Sequence, residues 1–361
     1  MVRTTYSPNS MLRGNHAGSA PSTAERYVGV DVARIFAAFL IVAYHCMEAY
    51  ARSGGPPVLG MPPHHIVGGA FLWGRVPFFL ILAGFLASQN LARPTASSHK
   101  FIYSRLLSLG IPYLVWNGIS LLLRIAGEHM GASYEKGTTL SLGMIAAQIT
   151  GISQSPANGP LWLVRDLIIA NLLAPLLFRF RAWIFIPAII LITLPDYPTE
   201  WIESSIPRVA SIGFYSIGIM LQQLEIKRFS ILIPSARWGF LLCLGFGLLI
   251  VFTDLALPRV MGPTLGAAAI LFAGNAIAST NSKIACLLQG IASASFLIYA
   301  ANVPIIAVIR QVLLKYGHLS DSGMLLFYSL LPFLLTALLA YFHHLVRKHF
   351  PRLLTPLTGG R

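Results

Sequence analysis

Eight ionisable residues stand inside or at the edge of long apolar runs: Asp31, Arg34, His45, Glu48, Arg75, Arg165, Asp166 and Arg310. A charged group at mid-bilayer costs at least about 2.5 kcal/mol, so such groups face a protein interior or a wet cavity. The first run carries four of them. Arg34 and His45 are eleven residues apart, so on a helix they differ by only about 20° around the axis and by roughly 16 Å along it. Asp31 lies one turn before Arg34, where it can pair with it. Glu48 lies one turn beyond His45, where it can hold the ring. One helix face then joins a cationic mouth to an imidazole deep in the apolar layer. Imidazole titrates near neutral pH and serves as a general base, and guanidinium suits phosphate through its forked donors. The plainer alternative has Asp31 and Arg34 at an interface and His45 as a hydrogen-bonded packing residue.

Two further segments carry charge. Arg75 opens RVPFFLILAGFLAS, in which Pro77 is expected to kink a helix and Gly84 to permit close helix approach. GPLWLVRDLIIANLLAPLL opens at Gly159, with Trp162 suited to an outer interface. Arg165 and Asp166 follow within a turn, as an ion pair of structural use or as acceptor-binding groups.

The elements that must position these residues are membrane spans. The chain has 361 residues, 55% hydrophobic and only 11% charged, with a mean hydropathy of +0.69. A soluble domain carries about a quarter charged residues, so most of this surface cannot face water. That excludes a disordered chain, a disulfide scaffold and a soluble nucleic-acid binder. The net charge of +14 sits between the apolar runs, as in a polytopic membrane protein. Cys46, Cys243 and Cys286 lie far apart and suggest neither a disulfide framework nor a zinc site. The His64-His65 and His343-His344 pairs point about 100° apart on a helix, poor geometry for a metal.

Residues 1–26 read as a disordered polar cytoplasmic tail, 27–350 as a single membrane domain and 351–361 as a cytoplasmic tail. Runs of about 20 apolar residues span a bilayer. Spans are expected at Val28–Tyr50, Ile66–Gln89, Tyr103–Ile125, Leu161–Phe178, Ala182–Leu194, Arg208–Leu224, Trp238–Leu257, Gly262–Thr280, Leu288–Leu313 and Gly323–Val346. Leu140–Ile152 is too short to span and reads as a half-helix in an outer loop. Most Lys and Arg fall on one side of this count, which makes both termini cytoplasmic. The expected fold is therefore an all-α bundle of about ten transmembrane helices.

These segments together resemble the bacterial acyltransferase family 3, membrane O-acyltransferases that act on surface or exported glycans. Arg34-x10-His45, preceded by Asp31, is similar to the family's first-helix motif. Arg75-Val-Pro-Phe-Phe with Ala83-Gly84-Phe85 is similar to its VPxFFxxSGF segment, with Ala83 where Ser is usual. Pro160-Leu-Trp-Leu-Val-Arg-Asp resembles its PLWFLRDL segment. Ser295-Phe-Leu-Ile-Tyr-Ala-Ala-Asn-Val-Pro304 resembles its late SFxIYLxHxP segment, with Asn302 where His is common. The motifs run from residue 31 to 304. Before Ile111-Pro112-Tyr113, Ser108 stands where the family often has a second Arg.

The resemblance implies transfer of an acyl group, acetyl from acetyl-CoA, to a hydroxyl of a surface glycan, exopolysaccharide or lipid-linked sugar. His45 would be the base, with Asp31 and Arg34 completing the first-helix set; Glu48 as the group that orients His45 comes from the helix spacing, since the resemblance does not single it out. Arg34 and Arg75 would take the phosphates of coenzyme A from the cytoplasmic side, with Arg105 at the mouth. Trp162, Arg165, Asp166 and Asn302 would line the acceptor side, Trp162 by stacking on a sugar ring. No metal is expected and no nucleic acid. The expected surroundings are the lipids of a bacterial inner membrane and glycan assembly or export machinery. A secondary transporter or lipid-linked glycan flippase, a membrane assembly partner without chemistry, and the other large class of membrane O-acyltransferase stay open as alternatives.

Overall fold

The structure, a computed structural model, describes residues 28–71, 73–129, 141–180, 208–224, 236–253, 261–280, 283–317 and 319–360. The described residues are helical throughout, with no strand beyond one isolated bridge between Val58 and Met61. In chain order the helices are α1 (Val28–Arg52), α2 (Pro63–Ala70), α3 (Arg75–Leu91), α4 (Ser98–Arg105), α5 (Ile111–His129), α6 (Leu142–Thr150) and α7 (Trp162–Arg179). Then come α8 (Val209–Gln223), α9 (Ala236–Thr253), α10 (Met261–Ala278), α11 (Lys283–Ile291), α12 (Ser295–Tyr316), α13 (Asp321–His349) and α14 (Leu354–Thr358). Among the described residues, seven stretches are long and apolar enough to cross a membrane: Val28–Arg52, Pro63–Leu91, Ser98–His129, Gly159–Arg179, Met261–Ala278, Lys283–Tyr316 and Asp321–His349. α9 is a shorter apolar helix over most of the expected Trp238–Leu257 run, and α8 lies within the expected Arg208–Leu224 run. The expected Ala182–Leu194 span and the 1–26 tail lie outside the described residues.

α1 is the axis of the bundle. Val32, Ala33, Ile35, Ala38, Ile41, Val42, Cys46 and Tyr50 are all buried, on every side of the helix. It packs against α2, α3, α10, α11, α12 and α13. Leu326, Leu330, Phe333, Leu334, Leu338 and Phe342 of α13 are exposed, as are Trp238, Leu242 and Phe252 of α9. A wide exposed apolar belt of this kind suits hydrocarbon rather than water.

Lipid gives helices no hydrophobic reason to associate, so contact depends on small residues and close packing. α3 and α8 show this most plainly. A Cβ placed on Gly84 would stand 1.9 Å from the Tyr215 carbonyl oxygen, and one on Gly218 would stand 2.0 Å from that of Ile81. The two backbones touch because neither position has a side chain.

Two helices differ from the sequence expectation. The Ile66–Gln89 span is two helices, α2 and α3, and between them Trp73 stands at φ +57. Pro77 does not kink α3: it lies in the first turn, where its missing N–H removes no intrahelical bond. The long third span runs through a π-turn at Leu106–Gly110 between α4 and α5. Residues 351–360 do not trail away from the bundle. α14 packs on α5, the Trp116 indole donates to the Leu357 carbonyl at 3.0 Å, and Thr358 is fully buried.

Candidate active site

His45 lies in the wall of a cavity of about 770 Å³ formed by α1, α3, α7, α12 and the segment after α6. Its Nδ1 is 3.0 Å from Glu48 Oε2, and Glu48 Oε1 accepts from Arg52 Nη2 at 3.0 Å. A carboxylate on Nδ1 selects the tautomer with the proton there and leaves Nε2 as the basic nitrogen. The one-turn spacing along α1 brings these three side chains onto one line, as the sequence spacing anticipated for His45 and Glu48.

Arg75 enters the same cavity from the first residue of α3. Its guanidinium stacks over the Tyr44 ring at 4.1 Å and faces Trp73 at 5.1 Å. The break between α2 and α3 brings both the indole and the arginine to this level. Tyr44 is also edge-on to His45 and His64. The sequence grouped Arg75 with Arg34 on the donor phosphates, but the two are apart in the structure. Arg75 stands beside Tyr44, ten residues along α1 from Arg34, or roughly 15 Å at the helical rise.

Arg34 lies toward the other end of α1. It pairs with Asp31 at 3.4 Å and donates to Ser295 Oγ at 3.2 Å at the start of α12. Neither Arg34 nor Asp31 lines the His45 cavity. Arg105 also lies apart, half-buried, with its guanidinium 5.4 Å from the Phe101 ring. Of the three arginines expected to share the donor phosphates, Arg75 alone lines the His45 cavity.

Trp162, Arg165 and Tyr299 close the opposite wall. Arg165 donates from Nε and Nη2 to Asp166 Oδ1 at 3.1 and 3.0 Å, and from Nη1 to the Gly151 carbonyl at 2.6 Å. Gly151 ends α6 in the left-handed region at φ +65, so Arg165 also caps that helix, where a cation is favourable. The expected half-helix thus has a role: it is tied to α5 by an Arg124–Gln148 hydrogen bond and by Tyr113 donating to the Thr150 carbonyl at 2.7 Å. It delivers Ser153, Gln154 and Pro156 to the cavity.

Asp166 is fully buried behind this wall and does not line the cavity. Its Oδ2 accepts from Ser211 Oγ at 2.8 Å and from the Arg208 backbone N at 3.1 Å. Asp166 therefore positions Arg165 and the start of α8 rather than touching a ligand. Asn302 is also fully buried and off the cavity wall, its Nδ2 bonded to the Ile298 and Tyr299 carbonyls. On α12 the residues that face the cavity are Tyr299, Val303, Ile306, Ala307 and Arg310.

Sequence reasoning missed Arg208 as a site residue. Its guanidinium lies 3.8 Å above the Trp162 ring, so one face of the indole is already covered. The available signal was a basic residue at the first position of an expected span. Arg310 stood among the intramembrane charges without a role. Here its Nη2 donates to the Arg52 carbonyl at 2.9 Å, joining the ends of α12 and α1 at the cavity rim.

The chain is thus a multi-pass helical bundle with a carboxylate-held histidine in the wall of an open cavity. Residues 27–352 match the acyltransferase domain family, and the chain belongs to that family, acyltransferase family 3. It is also 26% identical over 262 residues, 70% of each chain, to the succinoglycan biosynthesis protein ExoH of Rhizobium meliloti (strain 1021). No solved structure matches it.

Proposed function

We propose that the protein is an O-acyltransferase that moves acetyl from acetyl-CoA to a hydroxyl of a surface glycan, exopolysaccharide or lipid-linked sugar. The observation that carries the reading is the 3.0 Å contact of His45 Nδ1 with Glu48 in the wall of a cavity shared with Trp162 and Arg165. The polysaccharide acceptor is supported by the name of the Rhizobium relative. His45 Nε2 takes the acceptor proton while the hydroxyl oxygen attacks the thioester carbonyl. The imidazolium returns that proton to the departing coenzyme A sulfur, so no proton is gained or lost. General base catalysis of this kind contributes about 10²–10⁴-fold. The Arg34–Ser295 pair at the other end of α1 serves the donor phosphates.

The membrane arrangement belongs to the same proposal: about ten spans, both termini cytoplasmic, in a bacterial inner membrane. The count is supported by helix direction. Asp166 near the start of α7 contacts Ser211 near the start of α8, and Phe178 near the end of α7 accepts from Gln223 at the end of α8. The two run parallel, which calls for a return crossing between them. With this orientation the His45 cavity lies toward the outer face and Arg34 toward the cytoplasm.

The test is a deletion strain complemented with wild type or His45→Ala, its glycan examined by NMR for ester groups. Loss of the ester while the variant is still found in the membrane fraction is expected. Wild-type ester content in that strain would overturn the mechanism. Arg34→Ala is expected to raise the KM for acetyl-CoA, and unchanged donor kinetics would remove Arg34 from that role.

A further inference from the structure

Acyl transfer to a hydroxyl passes through a tetrahedral intermediate, and fixed donors for its oxyanion are usually the largest single contribution to such catalysis. His45 supplies a base but no such donor. Arg75 has the placement for one. It lines the same cavity as His45 and Tyr44. Its guanidinium lies 4.1 Å over the Tyr44 ring, and that ring meets His45 edge-on with centroids 5.3 Å apart. Base and guanidinium thus contact one phenol ring. A tetrahedral carbon with a hydrogen bond of about 3 Å on each side fits between them.

What holds Arg75 leaves its donors unspent. Among the described residues it makes no hydrogen bond and no ion pair, and its contacts are the rings of Tyr44 and Trp73. A ring face attracts a cation without taking its N–H groups as a carbonyl would, so the donors stay available. The neighbouring Arg165, in contrast, donates from all three nitrogens to Asp166 and Gly151, and Arg52 is tied to Glu48. The second ring is itself fixed. Trp73 stands at φ +57, an outlying conformation for a bulky residue that persists only where the surroundings impose it. Its indole packs down on Gly68, where a Cβ would come 2.6 Å from the ring.

We propose that Arg75 is the oxyanion donor of the acyl transfer and not a ligand of the donor phosphates, with Tyr44 and Trp73 as its positioning residues. The inference rests on the acyltransferase reading of this cavity. As the acceptor oxygen bonds to the thioester carbon, the carbonyl π pair moves onto the carbonyl oxygen, and Arg75 donates to the oxyanion so formed. When that pair returns, the C–S bond breaks and the sulfur takes the proton held by the imidazolium. Arg75 keeps its protons throughout.

The experiment measures acetyl transfer by the purified full-length protein to unacylated glycan from the deletion strain. Two donors are compared: acetyl-CoA, and S-acetylpantetheine, which carries the thioester without any phosphate. Arg75→Met removes the N–H donors and keeps an unbranched side chain. It is expected to lower kcat by about 10²–10³-fold, the loss typical of one oxyanion donor, with either acyl donor and with both KM values little changed. Arg75→Lys is expected to recover part of that kcat, and thermal melting checks that each variant is folded. A loss confined to acetyl-CoA, or carried by its KM, would put Arg75 on the phosphates and overturn the proposal. Wild-type kcat in Arg75→Met would overturn it too, as would a folded Arg75→Lys protein no more active than Arg75→Met. If wild type does not use S-acetylpantetheine, the split between kcat and KM on acetyl-CoA decides. Absence of transfer by wild type from either donor, with no ester on the glycan of the complemented strain, would strike the acyltransferase reading instead.

Discussion

Glu48 Oε2 lies 3.0 Å from His45 Nδ1, and its other oxygen accepts from Arg52 at 3.0 Å. One carboxylate therefore links the imidazole in the cavity wall to a guanidinium at its rim, all on consecutive turns of α1. A positioning role for Glu48 separates two kinetic constants. Glu48→Gln keeps the side-chain shape and removes the charge that stabilises the imidazolium. We expect kcat to fall by about 10-fold or more while the acetyl-CoA KM stays put, a smaller loss than His45→Ala, for which about 10²–10⁴-fold is expected. Steady-state acetyl transfer with both substrates varied would check it. An equal rise in the donor KM would place Glu48 in the donor site.

Asp166 is expected to matter for folding more than for binding. It is fully buried and satisfies Arg165, Ser211 and the Arg208 backbone N together. Asp166→Asn leaves the Arg165 guanidinium buried without its counter-charge, which costs about 3–5 kcal/mol. Thermal unfolding in detergent should show a large drop, whereas Asp166→Glu should lose less. A stable Asp166→Asn protein with a raised acceptor KM would contradict the assignment.

Gly84→Val should disrupt the α3–α8 contact. Its Cβ alone would meet the Tyr215 carbonyl oxygen at 1.9 Å, and backbone cannot rotate aside as a side chain does. Overpacking of this kind costs about 1–3 kcal/mol. The matching substitution Gly218→Val should behave alike, and the double variant should be no better than either. Melting temperatures of the three proteins decide this. By contrast, Gly245→Ala, where a Cβ meets nothing within 4 Å, should be neutral.

Removing residues 351–361 should destabilise the bundle, because α14 is part of it. Gly359 sits at φ +73 against the π-turn, where a Cβ would come 1.9 Å from the Ser108 carbonyl oxygen. Trp116→Phe keeps an aromatic side chain but loses the bond to Leu357 and part of the buried ring, for a cost of about 1 kcal/mol from the bond and more from the lost packing. The truncation should lose more. Unchanged melting of the truncated protein would show that the C-terminal segment contributes nothing to the fold.

The sequence by itself determined the material of this protein and much of its first helix. An apolar chain with few charges and repeated runs of about 20 apolar residues points to a helical membrane bundle. A helix satisfies its own backbone in lipid and needs that length to cross, whereas a barrel strand needs only about ten residues. Helical periodicity put Glu48 one turn from His45 and Asp31 one turn from Arg34, because those relationships are local and the rise per residue is fixed. Tertiary structure decided what met across helices. Nothing in the chain order says that Arg208 covers Trp162, that Arg310 reaches Arg52, or that Asp166 lies behind the wall while Arg165 faces the cavity. Nor could spacing place Arg75 beside Tyr44 instead of Arg34, since that depends on the break at Trp73 and on the packing of α3. Local geometry is written in the backbone. Which helix faces which is settled by close contact of small residues and by where buried polar groups find partners, and both are properties of the assembled bundle.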